Sequence, residues 1–237
     1  MLRRWWVLLA AAALLAAAVT PAYAAKITLT SKTLFAMKAS ANALPAQLVY
    51  DTFTSAGAVT LNGRAADTTG QPWNVVFGTL QVTGGQLRCT NCSGGSYGAA
   101  LIDGDMAQVT ATVNLRQIGT TGATPGAAGL VMNADAAGTQ AIVVWWDASV
   151  VTLFRYVGGN LTQLAQANAA GISTTVDTPL VVTYTAGTYS VSFKAASLFS
   201  YTLSAADQTT FNADTYFGVA FNDDPDRIRL DNFEVKQ

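Results

Sequence analysis

The feature that most constrains the fold is a series of short β-branched and aromatic runs, separated by clusters of Gly, Asn, Asp and Pro. Beyond the N-terminal residues, no stretch keeps an apolar period of 3.6 residues over three turns, and the pattern therefore predicts strands joined by turns. One short helical turn is predicted at 205–211, with Ser204 as its N-cap. The predicted strands are 48–53, 73–77, 79–82, 86–88, 97–102, 107–117, 127–133, 140–146, 150–157, 161–166, 179–185, 189–195, 198–203, 216–221 and 227–236.

So many strands without a helical interlude predict an all-β domain, a jelly-roll β-sandwich of two antiparallel sheets. We place this domain at residues 49–237. Residues 25–48 differ in composition, since they hold Lys26, Lys32 and Lys38, and they are expected to form an N-terminal arm or linker.

Residues 1–24 have the pattern of a secretory signal peptide. Arg3 and Arg4 precede an apolar run at 7–19, and Ala22-Tyr23-Ala24 matches a small-residue cleavage site. As a helix the run spans roughly 20 Å, which is too short for a bilayer core of about 30 Å. The mature protein is therefore expected to be secreted, extracellular or in the cell envelope, with no membrane span.

The charge composition excludes several functions. The chain has a net charge of −1 and no histidine. A nucleic-acid groove needs clustered Lys and Arg, so no nucleic-acid partner is expected. Because the sequence contains no histidine, histidine metal sites and His-based catalytic dyads are excluded.

The two cysteines, Cys89 and Cys92, are predicted to form a disulfide, as is usual in a secreted chain. Closing so short a span requires a turn at Thr90-Asn91. A redox Cys-x-x-Cys would instead require a helix starting at the motif. The following Ser93-Gly94-Gly95-Ser96 favours the structural disulfide.

Several motifs resemble secreted domains of the concanavalin A-like lectin/glucanase superfamily, including its LamG-like jelly rolls. They are Tyr50-Asp51-Thr52-Phe53, Leu61-Asn62-Gly63-Arg64, Gly70-Gln71-Pro72-Trp73, Val82-Thr83-Gly84-Gly85-Gln86-Leu87, Ala128-Gly129-Leu130-Val131-Met132-Asn133 and Leu230-Asp231-Asn232-Phe233-Glu234-Val235. The resemblance implies a concave and a convex sheet and carbohydrate binding. It implies no organic cofactor and at most a structural calcium. Asp51 and Asp231 match the acidic positions of the first and last strands that would share the ion, although Asp51 could instead cap a strand end.

The acidic stretch 222–226 also allows two interpretations, a calcium loop or ordinary turn chemistry.

Catalysis is less favoured than binding. A glycosidase needs two facing carboxylates, but Glu234 is the chain's one glutamate. Asp231, three residues before it, is expected to face the other side of the strand. The glucanase motif Glu-x-Asp-x-x-Glu is absent, and the lyases of this fold typically use histidine. An Asp-only site would draw on Asp103, Asp135, Asp147 or Asp177, each of which also suits a turn.

The stretch 140–166 predicts a binding face. A three-residue connection at Asp147-Ala148-Ser149 would pair Trp146 with Val150, and a Gly158-Gly159 turn would pair Val157 with Asn160 and Tyr156 with Leu161. One face is then core, with Val143, Trp145, Val151, Leu153 and Leu164. The other face is predicted to bind ligand through Trp146, Thr152, Tyr156 and Gln163, with Val144 and Phe154 beside them. A one-residue change in register would exchange the faces.

The function predicted from the sequence is a secreted, non-catalytic, lectin-like domain that binds a polysaccharide or glycan. The alternative is a structural or adhesive extracellular protein that self-associates through its N-terminal arm along an exposed strand edge. A glycosidase or lyase is the third reading.

Overall fold

A computed structural model describes residues 47–118, 126–224 and 227–237. Strands such as Thr110–Gln117 and Thr178–Thr185 alternate buried and less buried positions, whereas Ala127–Ala134 is buried throughout. The strands are β1 Gln47–Asp51, β2 Val59–Thr60, β3 Asn74–Phe77, β4 Leu80–Thr83, β5 Gln86–Cys89, β6 Cys92–Asp103, β7 Thr110–Gln117, β8 Ala127–Ala134, β9 Gln140–Asp147, β10 Val150–Val157, β11 Asn160–Asn168, β12 Thr178–Thr185, β13 Thr188–Phe193, β14 Ala196–Thr202, β15 Tyr216–Asp224 and β16 Ile228–Lys236. The helix α1 covers Ala205–Phe211, and the Ser204 hydroxyl accepts the Asp207 N–H as its N-cap.

The strands form two antiparallel sheets. The nine-stranded sheet has the order β14-β13-β12-β7-β16-β5-β4-β2, with β1 also paired to β16, and the seven-stranded sheet has the order β11-β10-β9-β8-β15-β6-β3. One large cluster of buried apolar side chains draws on both sheets. The predicted all-β sandwich is confirmed. The two-residue strand β2 escaped prediction because it is too short to show a period.

The β9–β10 hairpin corrects one predicted register. Its loop has two residues rather than three, because Ala148 adopts a φ of +49° and Asp147 pairs with Val150. Trp146 therefore pairs with Val151, and the predicted pairing of Trp146 with Val150 is wrong. At the other end of β10 the two-glycine turn is as predicted, with Val157 opposite Asn160 and Tyr156 opposite Leu161.

The predicted disulfide joins Cys89, the last residue of β5, to Cys92, the first of β6. Its Cα atoms are 5.8 Å apart, and both side chains are buried. Since β5 and β6 belong to different sheets, the disulfide fastens the point where the chain crosses the sandwich.

The predicted signal peptide and nearly all of the predicted arm lie outside the described residues. Within the described part of the chain, no helix has the length and apolar character needed to cross a membrane.

Candidate functional site

The outer face of the seven-stranded sheet, which points away from the main core, carries a second apolar cluster. Its buried members include Leu101, Val131, Ala141, Val143 and Trp145. Strand pairing shows how they share one face, since Val143 lies opposite Val131 and Trp145 lies opposite Gly129. Apolar side chains on an outer face are unusual for a two-layer sandwich, whose outward positions are ordinarily polar. The apolar character of this outer face therefore requires a structural or functional explanation.

Two aromatic side chains from distant strands meet above this face. Phe77, at the end of edge strand β3, contacts Tyr156 of β10 edge to face, with ring centroids 6.0 Å apart. The two strands are five steps apart in the sheet order, which would separate them by about 24 Å if the sheet were flat. Side chains could not bridge that distance, so the outer face must be concave.

The concave face encloses a cleft of about 250 Å³. Aromatic residues of five strands line it, namely Phe77, Tyr97, Trp145, Tyr156 and Phe221. Tyr97 and Phe77 are 49% and 39% exposed, which leaves aromatic surface open at the cleft. Among the described residues that line the cleft, none is charged, and the side-chain polar atoms are those of Tyr97, Tyr156 and the Trp145 indole.

Two glycines allow the wall and floor of the cleft to approach. Gly78 has a φ of +68°, and a β-carbon there would lie 2.6 Å from the carbonyl oxygen of Tyr97. This position lets the chain after Phe77 pass close to β6. Gly98 lines the cleft, and a β-carbon there would lie 2.9 Å from the Cys89 Sγ. The buried disulfide therefore packs directly beneath the floor.

A polar row borders the apolar floor at one end. Asp147, Ala127, Asn222 and Tyr97 follow one another across four neighbouring strands by direct pairing. Burial raises the pKa of Asp147 above its ordinary value, with repulsion from Asp223 as the second cause. The row places a carboxylate, an amide and a phenol beside the aromatic cleft. Such groups supply both acceptors and donors for a polar ligand.

The structure separates the four predicted ligand residues. Trp146 is only 1% exposed and belongs to the main core, where its indole N–H donates to the Ala170 carbonyl at 3.2 Å. The prediction that Trp146 lies on the ligand face is therefore wrong, and so is the prediction that Val143 and Trp145 are core. Thr152, Tyr156 and Gln163 do lie on the outer side of the sheet, opposite Trp145, Ala141 and Phe154. Of these three, only Tyr156 lines the cleft.

Asp51 is fully buried and its oxygens are engaged by neighbours. One oxygen accepts the Phe53 backbone N–H at 2.7 Å, while the other accepts the Trp73 indole N–H at 2.7 Å and pairs with Arg64. This carboxylate holds β1 to the loop that follows it. Because a guanidinium occupies the position a cation would take, Asp51 does not fit a calcium ligand.

Asp231 is placed differently, on the outer face of the nine-stranded sheet opposite Asn114. Its Oδ1 accepts the Asn232 N–H at 2.7 Å. Burial raises its pKa to about 6, with Asp177 also raising it and Arg116 opposing. The strands β1 and β16 lie side by side, and repulsion from Asp51 also raises the pKa of Asp231. Asp51 nevertheless faces the core with both oxygens engaged by protein groups, so the two carboxylates do not form a shared cation site. The described residues contain no group of three His, Cys, Asp or Glu side chains able to hold a metal ion.

The acidic stretch has turn functions where it is described. The Asp224 carboxylate accepts the backbone N–H groups of Arg227 and Ile228, at 2.7 and 3.2 Å through Oδ1. Asp223 accepts the Gly95 N–H at 3.0 Å. These bonds favour the turn interpretation of the stretch over the calcium loop.

Glu234 and Asp231 correct a second expectation. A register shift occurs between them, with Asn232 at a φ of +49°, and they pair with Thr112 and Asn114. Because those partners are two residues apart, both carboxylates face outward, and the prediction of opposite faces is wrong. Glu234 pairs with Lys236 at 3.0 Å. The aromatic cleft lies on the other sheet.

Three of the four aspartates considered for an Asp-only active site have structural partners. Asp103 accepts the Thr215 hydroxyl at 2.9 Å, and Asp177 pairs with Arg116 at 2.5 Å. Asp135 accepts the Thr139 hydroxyl and N–H. The fourth, Asp147, belongs to the polar row. These contacts do not assemble a catalytic carboxylate pair from the four.

Sequence reasoning missed Phe77, Tyr97 and Trp145 as site residues. The signal for Trp145 was present, since a one-residue change in register exchanges it with Trp146. Phe77 and Tyr97 gave no local signal, because their place in the cleft depends on pairing between strands distant in sequence.

Comparison with protein-family models found no match, and comparison with curated proteins found no significant one. Among solved structures, the carbohydrate-binding module CBM66 from Bacillus subtilis matches with a TM-score of 0.56 at 16% identity, over 70% of this chain and 95% of that one. The VIP36 exoplasmic/lumenal domain in its Ca²⁺/Man2-bound form matches with a TM-score of 0.56 at 17% identity, over 76% of this chain and 87% of that one.

A third similar structure comes from work on endo-acting O-glycanases that prominent members of the human gut microbiota express to initiate mucin breakdown. It has a TM-score of 0.53 and 12% identity, and it covers 81% of this chain and 99% of that one. Identities this low establish the fold alone. The jelly-roll β-sandwich fold expected from the sequence is confirmed.

Proposed function

We propose that this protein is a non-catalytic carbohydrate-binding domain whose ligand occupies the aromatic cleft on the concave sheet. The observation that carries the proposal is the set of aromatic side chains that line this cleft, with partly exposed Phe77 and Tyr97 among them. Sugar rings present apolar C–H faces rimmed by hydroxyls. Aromatic side chains cover such faces, while the neighbouring polar groups orient the ligand.

The polar row supports the same ligand class. Sugar hydroxyls need hydrogen-bond partners when they leave water. Asp147, Asn222 and the Tyr97 hydroxyl stand in register along one border of the cleft. A ring stacked in the cleft would direct hydroxyls toward these groups. Two of the similar structures are named as a carbohydrate-binding module and as a mannose-bound domain, which agrees with this assignment.

The cleft volume indicates how much ligand it holds. Pockets for drug-sized ligands measure roughly 300–1,000 Å³, whereas this cleft measures about 250 Å³. It is suited to one sugar ring or part of one. We therefore expect recognition of a single glycan residue, with the remainder of the glycan outside the cleft.

A glycan array of the mature protein, probed with and without added Ca²⁺, tests the proposal. The calcium arm also tests for a structural cation, which the resemblance implies. Tyr97→Ala is expected to weaken binding at least tenfold with little loss of stability, because Tyr97 is 49% exposed. Tyr50→Ala is the matched control, since Tyr50 is a partly buried tyrosine on the nine-stranded sheet. Absence of binding to every glycan, or equal losses in both variants, would refute the proposal.

A further inference from the structure

The chemistry of the cleft restricts the sugar it can take. Its described lining residues carry no carboxylate, amine, guanidinium, amide or aliphatic hydroxyl on their side chains. Its polar side-chain atoms are two phenol hydroxyls and the indole N–H of Trp145. The Trp145 indole packs against the Phe154 ring, with ring centroids 5.0 Å apart. The interior away from the tyrosines is aliphatic, with Leu101, Val131 and Val143.

A fully hydroxylated sugar is poorly matched to such an interior. A hydroxyl that is buried without a partner costs roughly 1–3 kcal/mol, which is about fivefold to 150-fold in affinity. The backbone of the floor strands β6, β15, β8 and β9 offers little help, because its N–H and C=O groups pair within the sheet. A methyl group at the same position would instead gain from burial against valine and leucine side chains.

We propose that the cleft selects a glycan residue that carries a methyl group, either as a 6-deoxyhexose or as an N-acetylhexosamine. The methyl group enters the aliphatic interior beside Val131 and Val143, which lie opposite each other on neighbouring strands, and the ring hydroxyls stay at the border beside the polar row. This inference rests on the proposed carbohydrate-binding function and adds the class of sugar. It also requires a neutral sugar, since burying a charged substituent in an uncharged cleft is unfavourable.

Matched sugar pairs test the selection directly. L-Fucose is compared with L-galactose and L-rhamnose with L-mannose, because each pair differs only in a methyl group against a hydroxymethyl group. N-Acetylglucosamine is compared with glucose to distinguish the acetyl methyl from the deoxy methyl. Binding is measured by titration followed by protein NMR shifts, and saturation-transfer NMR reports which ligand protons touch the protein. We expect at least one methyl-bearing sugar to bind about tenfold tighter than its partner, with the strongest saturation on its methyl protons.

A near-isosteric variant tests the location. Val143→Thr places a hydroxyl in the aliphatic interior, and the tenfold preference is expected to fall below threefold. Val181→Thr is the control, since Val181 lies on the other sheet, opposite Thr112, and its preference should not change. Thermal melting of both variants shows that each is folded. If Val143→Thr unfolds the chain, Val143→Ala replaces it and should weaken methyl-sugar binding.

The outcomes separate the two proposals. Equal or tighter binding of the hydroxymethyl partners overturns the methyl selection but leaves carbohydrate binding in place. An unchanged preference in Val143→Thr overturns the location in this cleft. If no sugar binds while n-octyl β-D-glucoside binds through its alkyl protons, the cleft takes a non-sugar apolar ligand and both proposals are overturned.

Discussion

Replacing each of the two adjacent tryptophans of β9 with alanine should have opposite consequences. The Trp146 side chain is 1% exposed within the main core, so its removal leaves a closed cavity. Replacing a buried tryptophan with alanine lowers the free energy of unfolding by about 3–5 kcal/mol. The Ala170 carbonyl also loses its indole partner, which adds about 1 kcal/mol. We therefore expect Trp146→Ala to lower the free energy of unfolding by about 4–6 kcal/mol.

Trp145→Ala should cost less, although Trp145 is only 5% exposed. Its indole lines the cleft, so water can enter the space it leaves and no closed cavity forms. The remaining loss is the transfer of one side chain, about 2–3 kcal/mol. Binding should respond in the opposite order, because Trp145 contributes to the cleft surface and Trp146 does not. Trp145→Ala is expected to lose glycan binding while it remains folded.

Urea unfolding followed by circular dichroism measures both stabilities, and Trp145→Phe and Trp146→Phe serve as conservative controls. For a chain of this size each kcal/mol of lost stability lowers the melting temperature by about 2–4 °C, so Trp146→Ala should melt roughly 8–24 °C below the wild type. A loss below 2 kcal/mol in Trp146→Ala together with a loss above 4 kcal/mol in Trp145→Ala would refute the two-residue hairpin and the face assignment.

Three further predictions concern other parts of the chain. Burial raises the folded-state pKa of Asp231 from 3.8 to about 6, so the fold favours the protonated carboxyl and stability is lost as pH rises from about 4 to 6. The variant Asp231→Asn should therefore be as stable as the wild type at pH 4 and about 1 kcal/mol more stable at pH 8, after allowance for solvent screening. Urea titrations at both pH values measure this difference. Replacing Cys89 and Cys92 together with alanine should cost about 2 kcal/mol while the β circular-dichroism signal persists, and an unfolded variant would contradict this. Deleting residues 25–46 should leave glycan binding intact. If light scattering shows an oligomer for the full chain and a monomer after the deletion, that result would favour the self-associating alternative.

The sequence predicted the strands well because β-branched and aromatic runs mark them locally. Every predicted strand overlaps an observed one, and the helix α1 has its predicted bounds and cap. The register of one hairpin was wrong because alanine adopts a positive φ rarely, and nothing in the letters around Ala148 indicates that it does so here. The bulge at Asn232 also escaped prediction, although asparagine is one of the residues that tolerate such a φ.

The candidate site could be predicted only in part, for a reason of topology. Tyr156 was identified from its own hairpin, whose two-glycine turn determines the pairing locally. Phe77 reaches Tyr156 only because the order of seven strands and the curvature of their sheet bring the two rings together. Strand order depends on non-local pairing, which a periodic pattern does not encode. Site residues contributed by an edge strand are therefore the hardest to find from sequence.

The short β5–β6 connection links the fold to the proposed site. Gly98 tolerates no side chain because the disulfide and Leu80 pack against it from the core side, and the same residue forms part of the cleft surface on the other side. A buried covalent contact thus supports β6 under the cleft, in addition to its pairing with β15 and β3. A rigid floor reduces the ordering that a ligand must bring about when it binds. We therefore expect the rigid floor to assist the proposed discrimination between sugars that differ by one oxygen atom.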